Sequence, residues 1–146
     1  MRQSGDALEA IKAEPFFAAL AENSLADAAL GRWVLDDTHF LRALRRMMGR
    51  LVAGAPDEHS VDLITGAYPA LRFELDRFSR EAERLGIELE RSPGPVTQRF
   101  NRLLDDVSRE PFAEGIVVYW AVDTLISRPG HPCVSVWGSP SPTPSG

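Results

Sequence analysis

The feature that most constrains the fold is a stripe of seven residues spaced alternately three and four positions apart. It consists of Leu30, Trp33, Asp37, Phe40, Leu44, Met47 and Leu51. This spacing places all seven side chains on one face of an α-helix. Asp37 therefore occupies a position where an apolar residue is expected. Asp36 is rotated by about 100° from it, so we expect Asp36 to point to solvent and to have a different role.

Similar stripes and turn signals predict four more helices. The predicted helices cover residues 6–13, about 24–53, 57–86 with an interruption near Gly66 and Pro69, 95–107, and 111–125. Asn23 and Ser24 are suitable N-caps for the second helix, and Gly54 and Gly86 mark helix ends. The alternating pattern of a β-strand is absent apart from the short segment CVSVW. We therefore predict an all-α fold, an antiparallel helical bundle.

The overall composition is that of a globular domain. Of the 146 residues, 44% are hydrophobic and 25% are charged. No apolar run reaches the length of a bilayer span, and MRQSGDALEAIKAEP does not resemble a secretory signal, so we expect a cytoplasmic protein without a membrane partner. The net charge of −5 argues against nucleic-acid binding. The single cysteine, Cys133, allows neither an intrachain disulfide nor a CxxC site.

The sequence changes character after Leu125. The segment ISRPGHPCVSVWGSPSPTPSG contains five prolines and ends in a Ser/Pro-rich run. We expect residues 1–125 to form the helical domain and residues 126–146 to form an irregular or disordered tail. The last helix ends before its apolar face is developed, so the helical domain is expected to be incomplete at its C-terminus.

Three carboxylates lie on or beside the stripes: Asp37, Glu74 and Asp123. A carboxylate in a core position is costly unless it is paired or hydrogen-bonded, so each of them needs a defined partner. A packing role is the alternative for Asp37, with hydrogen bonds from a neighbouring Trp, Tyr or Arg. For Glu74 the alternative is an exposed ion pair with Arg77 or Arg84 on the same helix.

A metal site and a phosphate site are weaker possibilities. Asp36 and His39 have the i, i+3 spacing of paired metal ligands, and Glu58 and His59 add further ligand types. Helical two-metal sites need two such pairs, and only one is visible, so we expect no metal. Four arginines gather opposite the apolar stripe: Arg42, Arg45, Arg46 and Arg50. Such a cluster is typical of a solvated helix face.

Four segments resemble, in order and spacing, the TenA/thiaminase II family of heme-oxygenase-like helical proteins. They are EPFFAALAENSLADAALGRWVLDDTHFLRAL, FELDRFSREAERLGIEL, TQRFNRLLDD and VVYWAVDTL. The resemblance covers about residues 10–125, and its most specific element is the Trp-x-x-x-Asp-x-x-Phe pattern of Trp33, Asp37 and Phe40. Members of that family act in thiamin salvage, hydrolysing an aminomethyl-aminopyrimidine to hydroxymethylpyrimidine and ammonia. The resemblance implies the same reaction here, without a metal or an organic cofactor.

The resemblance also implies which residues bind the substrate. Asp37 corresponds to the family aspartate that hydrogen-bonds the aminopyrimidine ring, and Phe40 corresponds to a ring that lines the pocket. Phe100 lies where the family often has a tyrosine. Tyr119, one helical turn before Asp123, is the fourth expected substrate-binding residue.

Two acidic residues are the expected catalytic groups. Glu74 matches an acidic position on the third helix. The family's typical cysteine nucleophile on the fifth helix is missing, and YWAVDTL resembles instead the branch that lacks this cysteine and carries an acidic residue there, here Asp123. An acid at this position could act as a general base on water. The family continues through a Tyr-x-Glu segment and further helices, which the tail replaces in this sequence. We therefore expect the chain as written to be close to inactive and to self-associate as a homo-oligomer or aggregate. The alternative is a non-catalytic helical module that binds a small ligand or a protein.

Overall fold

The computed structural model describes residues 24–127 together with the isolated positions 15, 18, 19 and 22. The described part is helical: α1 is Asp27–Ala53, α2 is Glu58–Gly66, α3 is Tyr68–Leu85, α4 is Pro95–Val107 and α5 is Phe112–Ser127. The predicted all-α fold is confirmed. The predicted helix at 6–13 lies outside the described residues, as do residues 128–146 of the expected tail.

The 27 residues of α1 begin at Asp27, so its first turn carries an acidic side chain, and its last turn carries Arg50. Both charges complement the helix dipole. The predicted capping role of Ser24 is wrong. Its hydroxyl donates instead to the carbonyl of Ala19 at 3.3 Å, and α1 starts three residues later.

The predicted interruption near Gly66 and Pro69 is confirmed, because α2 ends at Gly66 and α3 begins at Tyr68. Proline lacks a backbone N–H and is tolerated only in the first turn of a helix, which is where Pro69 lies. The helix α3 ends at Gly86, whose φ of 67° is left-handed and favours glycine. Asp57 caps α2 by accepting a hydrogen bond from the Ser60 amide at 2.8 Å.

The core lies where α1 packs against α3 and α4. Its most completely buried side chains are Val34, Thr38, Met47, Met48, Ile64 and Leu104. The buried Thr38 hydroxyl donates to the Val34 carbonyl at 2.6 Å, so it leaves no unpaired group. Trp33, Asp37 and Phe40 are only partly buried, so they lie at the border of the buried face of α1.

The predicted apolar stripe of α4 is only partly buried. Leu104 is fully buried, whereas Val96, Phe100 and Leu103 are exposed to 67%, 38% and 49%. The helix contacts α1 through the neighbouring face instead. Arg50 of α1 donates to the Asp105 carboxylate at 2.5 Å and to the Ser108 hydroxyl at 2.7 Å, so this end of α4 is held by polar contacts.

The chain divides into two compact units. One consists of residues 27–121, and it holds α1 to α4 and most of α5; the other combines residues 1–26 with residues 122–146. Within the first unit, Gly115 of α5 comes close to α1, because a Cβ at this position would lie 2.7 Å from the Leu51 side chain. Among the described residues, no helix is long and apolar enough to cross a bilayer.

Candidate functional site

Asp37 is a carboxylate without a partner among the residues that the structure describes. It lies near the middle of α1, is partly buried, and forms no hydrogen bond or ion pair within the part of the chain that the structure describes. Burial raises the pKa of Asp37 to about 7, and the negative charges of Asp36 and Glu74 add to the rise. The packing alternative required a hydrogen-bond donor beside Asp37, and no described residue supplies one. Near neutral pH this carboxyl group therefore gains or loses a proton easily.

Glu74 of α3 lies close enough to Asp37 for its negative charge to affect the pKa of that residue. Burial also raises the pKa of Glu74 itself, and the positive charge of Arg77 partly opposes this rise. The ion pair that we considered as an alternative role is present, with 3.1 Å between an Arg77 nitrogen and a Glu74 oxygen. Arg84 pairs with Glu81 instead. Two carboxylates whose pKa values both lie above the ordinary range are thus brought together by α1 and α3.

Two predicted substrate-binding rings are in contact. The centroids of Phe40 on α1 and Phe100 on α4 lie 5.7 Å apart, with an angle of 43° between the ring planes. Phe40 follows Asp37 by three residues, so both project from the same side of α1. A second pair joins Trp33 to Phe78 of α3, edge to face, with centroids 5.1 Å apart. Asp37 therefore has an aromatic ring one helical turn away on either side along α1.

The other predicted site residues lie on α5. Tyr119 is buried, with 8% of its surface exposed, and belongs to the same compact unit as Asp37. Asp123 is partly buried and belongs to the second unit. Both residues have interaction partners. Their roles in binding and catalysis stay predictions.

Sequence reasoning missed a row of polar contacts beside Asp37. The prediction that Asp36 points to solvent is wrong, because its carboxylate accepts a hydrogen bond from the Gly94 amide at 2.6 Å. His39 donates to the Arg91 carbonyl at 2.8 Å, and Arg42 pairs with Glu90 at 3.2 Å.

Asp36 and His39, whose spacing we considered for metal ligands, thus hold the loop between α3 and α4. No group of three or more potential metal ligands occurs among the described residues. The four arginines of α1 also differ in their surroundings. Arg45 and Arg46 are exposed, as expected of a solvated face, whereas Arg42 and Arg50 contact the loop and α4.

The arrangement combines a carboxyl group that exchanges protons near neutral pH with flat apolar surface. Such a site is suited to a planar heteroaromatic ligand that both donates and accepts hydrogen bonds. The sequence matches the model of a protein family described as the TENA/THI-4/PQQC family over residues 7–133. This match runs past residue 125, where the sequence resemblance was expected to end. No curated protein and no solved structure matches the chain.

Proposed function

The chain belongs to the TENA/THI-4/PQQC family, and on that premise we propose that it binds an aminopyrimidine and comes from a lineage that hydrolyses the aminomethyl group of this ligand, with low turnover expected of the chain as written. The products are hydroxymethylpyrimidine and ammonia, the reaction of thiamin-pyrimidine salvage that the sequence resemblance implies. The observation that carries the proposal is the carboxyl group of Asp37, which has no partner among the described residues and whose pKa burial raises to about 7. Family membership alone is compatible with other reactions, so the proposal depends on this site.

The chemistry of Asp37 fits an aminopyrimidine. Such a ring presents a nitrogen that accepts a hydrogen bond beside an amino group that donates one. A neutral carboxylic acid is complementary, because its hydroxyl donates and its carbonyl accepts. A carboxylate paired with the protonated ring is the same complex with the proton moved. A pKa of about 7 suits this shared proton, since both forms of Asp37 are populated near neutral pH.

The aromatic rings supply the apolar part of the proposed site. Phe40 lies one helical turn after Asp37 and contacts Phe100 of α4. Phe100 is 38% exposed, so ligand binding would remove further apolar area from water. Phe100 lacks the hydroxyl of the tyrosine that the family often has there. Of Asp37, Phe40 and Phe100, only Asp37 can therefore form hydrogen bonds to the ligand through its side chain.

Hydrolysis breaks the bond between the exocyclic carbon and the amine nitrogen and joins that carbon to the oxygen of water. A base must take a proton from water, and an acid must give one to the departing amine, which leaves as ammonia. Glu74 is our candidate for one role, because it matches an acidic position of the family and lies close to Asp37, and because burial raises its pKa above the ordinary value. Asp123 is our candidate for the other role, on the basis of the family resemblance.

Replacing Glu74 by glutamine is expected to lower ammonia release at least about tenfold while the pyrimidine still binds, with the pH midpoint of binding moved to lower pH because the charge of Glu74 no longer raises the pKa of Asp37. The reason is that glutamine keeps the size of the side chain and removes its proton exchange. Ammonia release and binding would be measured separately, by a coupled assay and by calorimetry. Glu83→Gln, an exposed position on the same helix, is the matched control. Unchanged turnover in Glu74→Gln would exclude Glu74 as an acid or base.

A non-catalytic binding module is the second candidate, and the exposed apolar side chains favour it. Val96, Phe100 and Leu103 share one face of α4, and Val117 and Trp120 of α5 are exposed to 63% and 66%. Exposed apolar faces of this kind mark binding surfaces. Pyrimidine binding without any ammonia release, together with self-association in light scattering, would favour this candidate and would agree with our expectation of low activity. Turnover by a monomer would reject it.

A further inference from the structure

Asp36 of α1 forms a hydrogen bond at the N-terminus of α4. Its Oδ1 accepts a hydrogen bond from the amide of Gly94, the residue directly before α4, at 2.6 Å. The approach is close, because a Cβ on Gly94 would lie 3.2 Å from Asp36 Oδ2. Gly94 has no side chain to cap the helix. The Asp36 carboxylate supplies a negative charge at this N-terminus, where the helix dipole favours one.

Two further residues on the same side of α1 contact the loop that leads into α4. His39 and Arg42 follow Asp36 at intervals of three residues, so they lie in one row on the helix. His39 donates to the Arg91 carbonyl at 2.8 Å, and Arg42 pairs with Glu90 at 3.2 Å. The loop between α3 and α4 is thus held at three points, of which Asp36 is the one at the helix itself.

The Asp36 contact lies close to the ring pair of the candidate site. Phe40 follows Asp36 by four residues on α1, and Phe100 follows Gly94 by six residues on α4. At about 1.5 Å per residue, the Asp36–Gly94 hydrogen bond is within roughly 10 Å of both rings along the helix axes. A shift of the α4 N-terminus would therefore move Phe100 relative to Phe40 and Asp37.

We propose that Asp36 is a positioning residue for the pyrimidine site, which holds Phe100 against Phe40 and beside Asp37 through its hydrogen bond to Gly94. This inference rests on the proposed function, because it assigns Asp36 to the site proposed there. Two adjacent aspartates then have separate tasks. Asp37 contacts the ligand, and Asp36 fixes the helix that carries the facing ring.

The charge of Asp36 has a second effect on the site. It adds to the rise in the pKa of Asp37, after burial and together with Glu74 of the packed helix α3, where Arg77 acts on Glu74 in the opposite direction. Asparagine at position 36 keeps a hydrogen-bond acceptor and removes this charge, whereas alanine removes both. The two variants therefore separate positioning from electrostatics.

The test compares wild type, Asp36→Asn and Asp36→Ala by NMR and by calorimetric titration with the aminopyrimidine. Exchange of the Gly94 amide with solvent should be slow in wild type, intermediate in Asp36→Asn and at least about tenfold faster in Asp36→Ala. Asp36→Ala should also lose the nuclear Overhauser contacts between Phe40 and Phe100 and bind the pyrimidine at least about tenfold more weakly. Asp36→Asn should keep the ring contacts, with the pH midpoint of binding moved to lower pH.

Asp76→Asn is the charge-matched control, since Asp76 is exposed on α3, and it should behave as wild type. If Asp36→Ala does not fold, the difference in Gly94 amide exchange between wild type and Asp36→Asn still tests the Asp36–Gly94 hydrogen bond. Unchanged exchange and ring contacts in the folded variants would overturn the positioning role. A wild-type protein that shows slow exchange of the Gly94 amide but binds no pyrimidine would instead reject the proposed function, and with it the assignment of Asp36 to a pyrimidine site.

Discussion

Replacement of Asp37 by leucine is expected to weaken pyrimidine binding by at least about 100-fold, because a pair of hydrogen bonds that involve a charged group is lost. The same change should stabilise the protein above pH 7 by roughly 2 kcal/mol, since it removes a partly buried carboxylate whose charged form is disfavoured by burial and by the nearby charges of Asp36 and Glu74. A residue that impairs stability and improves binding is typical of a functional site.

The pH dependence of this stabilisation has a definite sign. The pKa of Asp37 is raised from 3.8 to about 7 in the folded protein, so the folded state binds the proton more tightly than the unfolded chain does. Wild type therefore gains stability from this residue as the pH falls from above 7 toward 4. The advantage of Asp37→Leu should shrink over the same interval.

Urea unfolding at pH 8.5 and pH 5, with calorimetric titration of the pyrimidine, measures both effects. Asp76→Leu makes the same substitution at an exposed position and should change neither quantity in this way. Asp37→Asn should bind with reduced affinity and without the pH dependence of wild type, because its amide cannot ionise. A leucine variant that binds the pyrimidine as wild type does would contradict the assignment of Asp37 to the ligand.

Replacement of Met47 by alanine should lower the free energy of unfolding by about 2–5 kcal/mol. Met47 is fully buried on the face of α1 that packs against α3 and α4, so the shorter side chain leaves a cavity in the core. Met47→Leu, which nearly conserves volume, should lose less than about 1.5 kcal/mol.

Chemical unfolding of the Met47 variants, beside the exposed control Arg46→Ala, measures this difference. Arg46→Ala should stay within about 0.5 kcal/mol of wild type. If Met47→Ala were as stable as this control, the helices α1, α3 and α4 would not share the core described above.

The sequence was sufficient to predict the helices between residues 27 and 127, apart from the start of α1, because local chemistry sets most of their boundaries. Pro69 lacks a backbone donor, which favours a helix start, and Gly86 tolerates a left-handed conformation, which favours a helix end. Neither effect depends on where the helix lies in the fold. The family inferred from the same segments is confirmed by the match over residues 7–133. Asp37 was found because a carboxylate interrupted an apolar stripe.

The environment of α4 was not predictable in the same way. Periodicity shows that Val96, Phe100 and Leu103 share a face, but it does not show whether another element covers that face. Here Leu104 faces the core and the other three side chains are exposed. Coverage depends on tertiary packing, which the pattern of one helix does not contain.

The contact of Asp36 was missed for a different reason. Its partner is the backbone amide of Gly94, 58 residues away, and a backbone amide occurs in nearly every residue. The available signal was the spacing of Asp36, His39 and Arg42 in one row, which we interpreted as a possible metal pair and part of a solvated face. A polar row beside a Gly- and Pro-containing loop also indicates a loop anchor.

The most direct test of the role of Asp37 is an NMR titration of the aspartate side-chain carboxyl carbons, with Asp37 assigned from the Asp37→Asn spectrum. We expect Asp37 to titrate near pH 7 in the free protein and its midpoint to move when the aminopyrimidine is added. An Asp37 carboxyl that titrates near pH 4 and does not respond to the pyrimidine would contradict the proposed role of Asp37 in ligand binding.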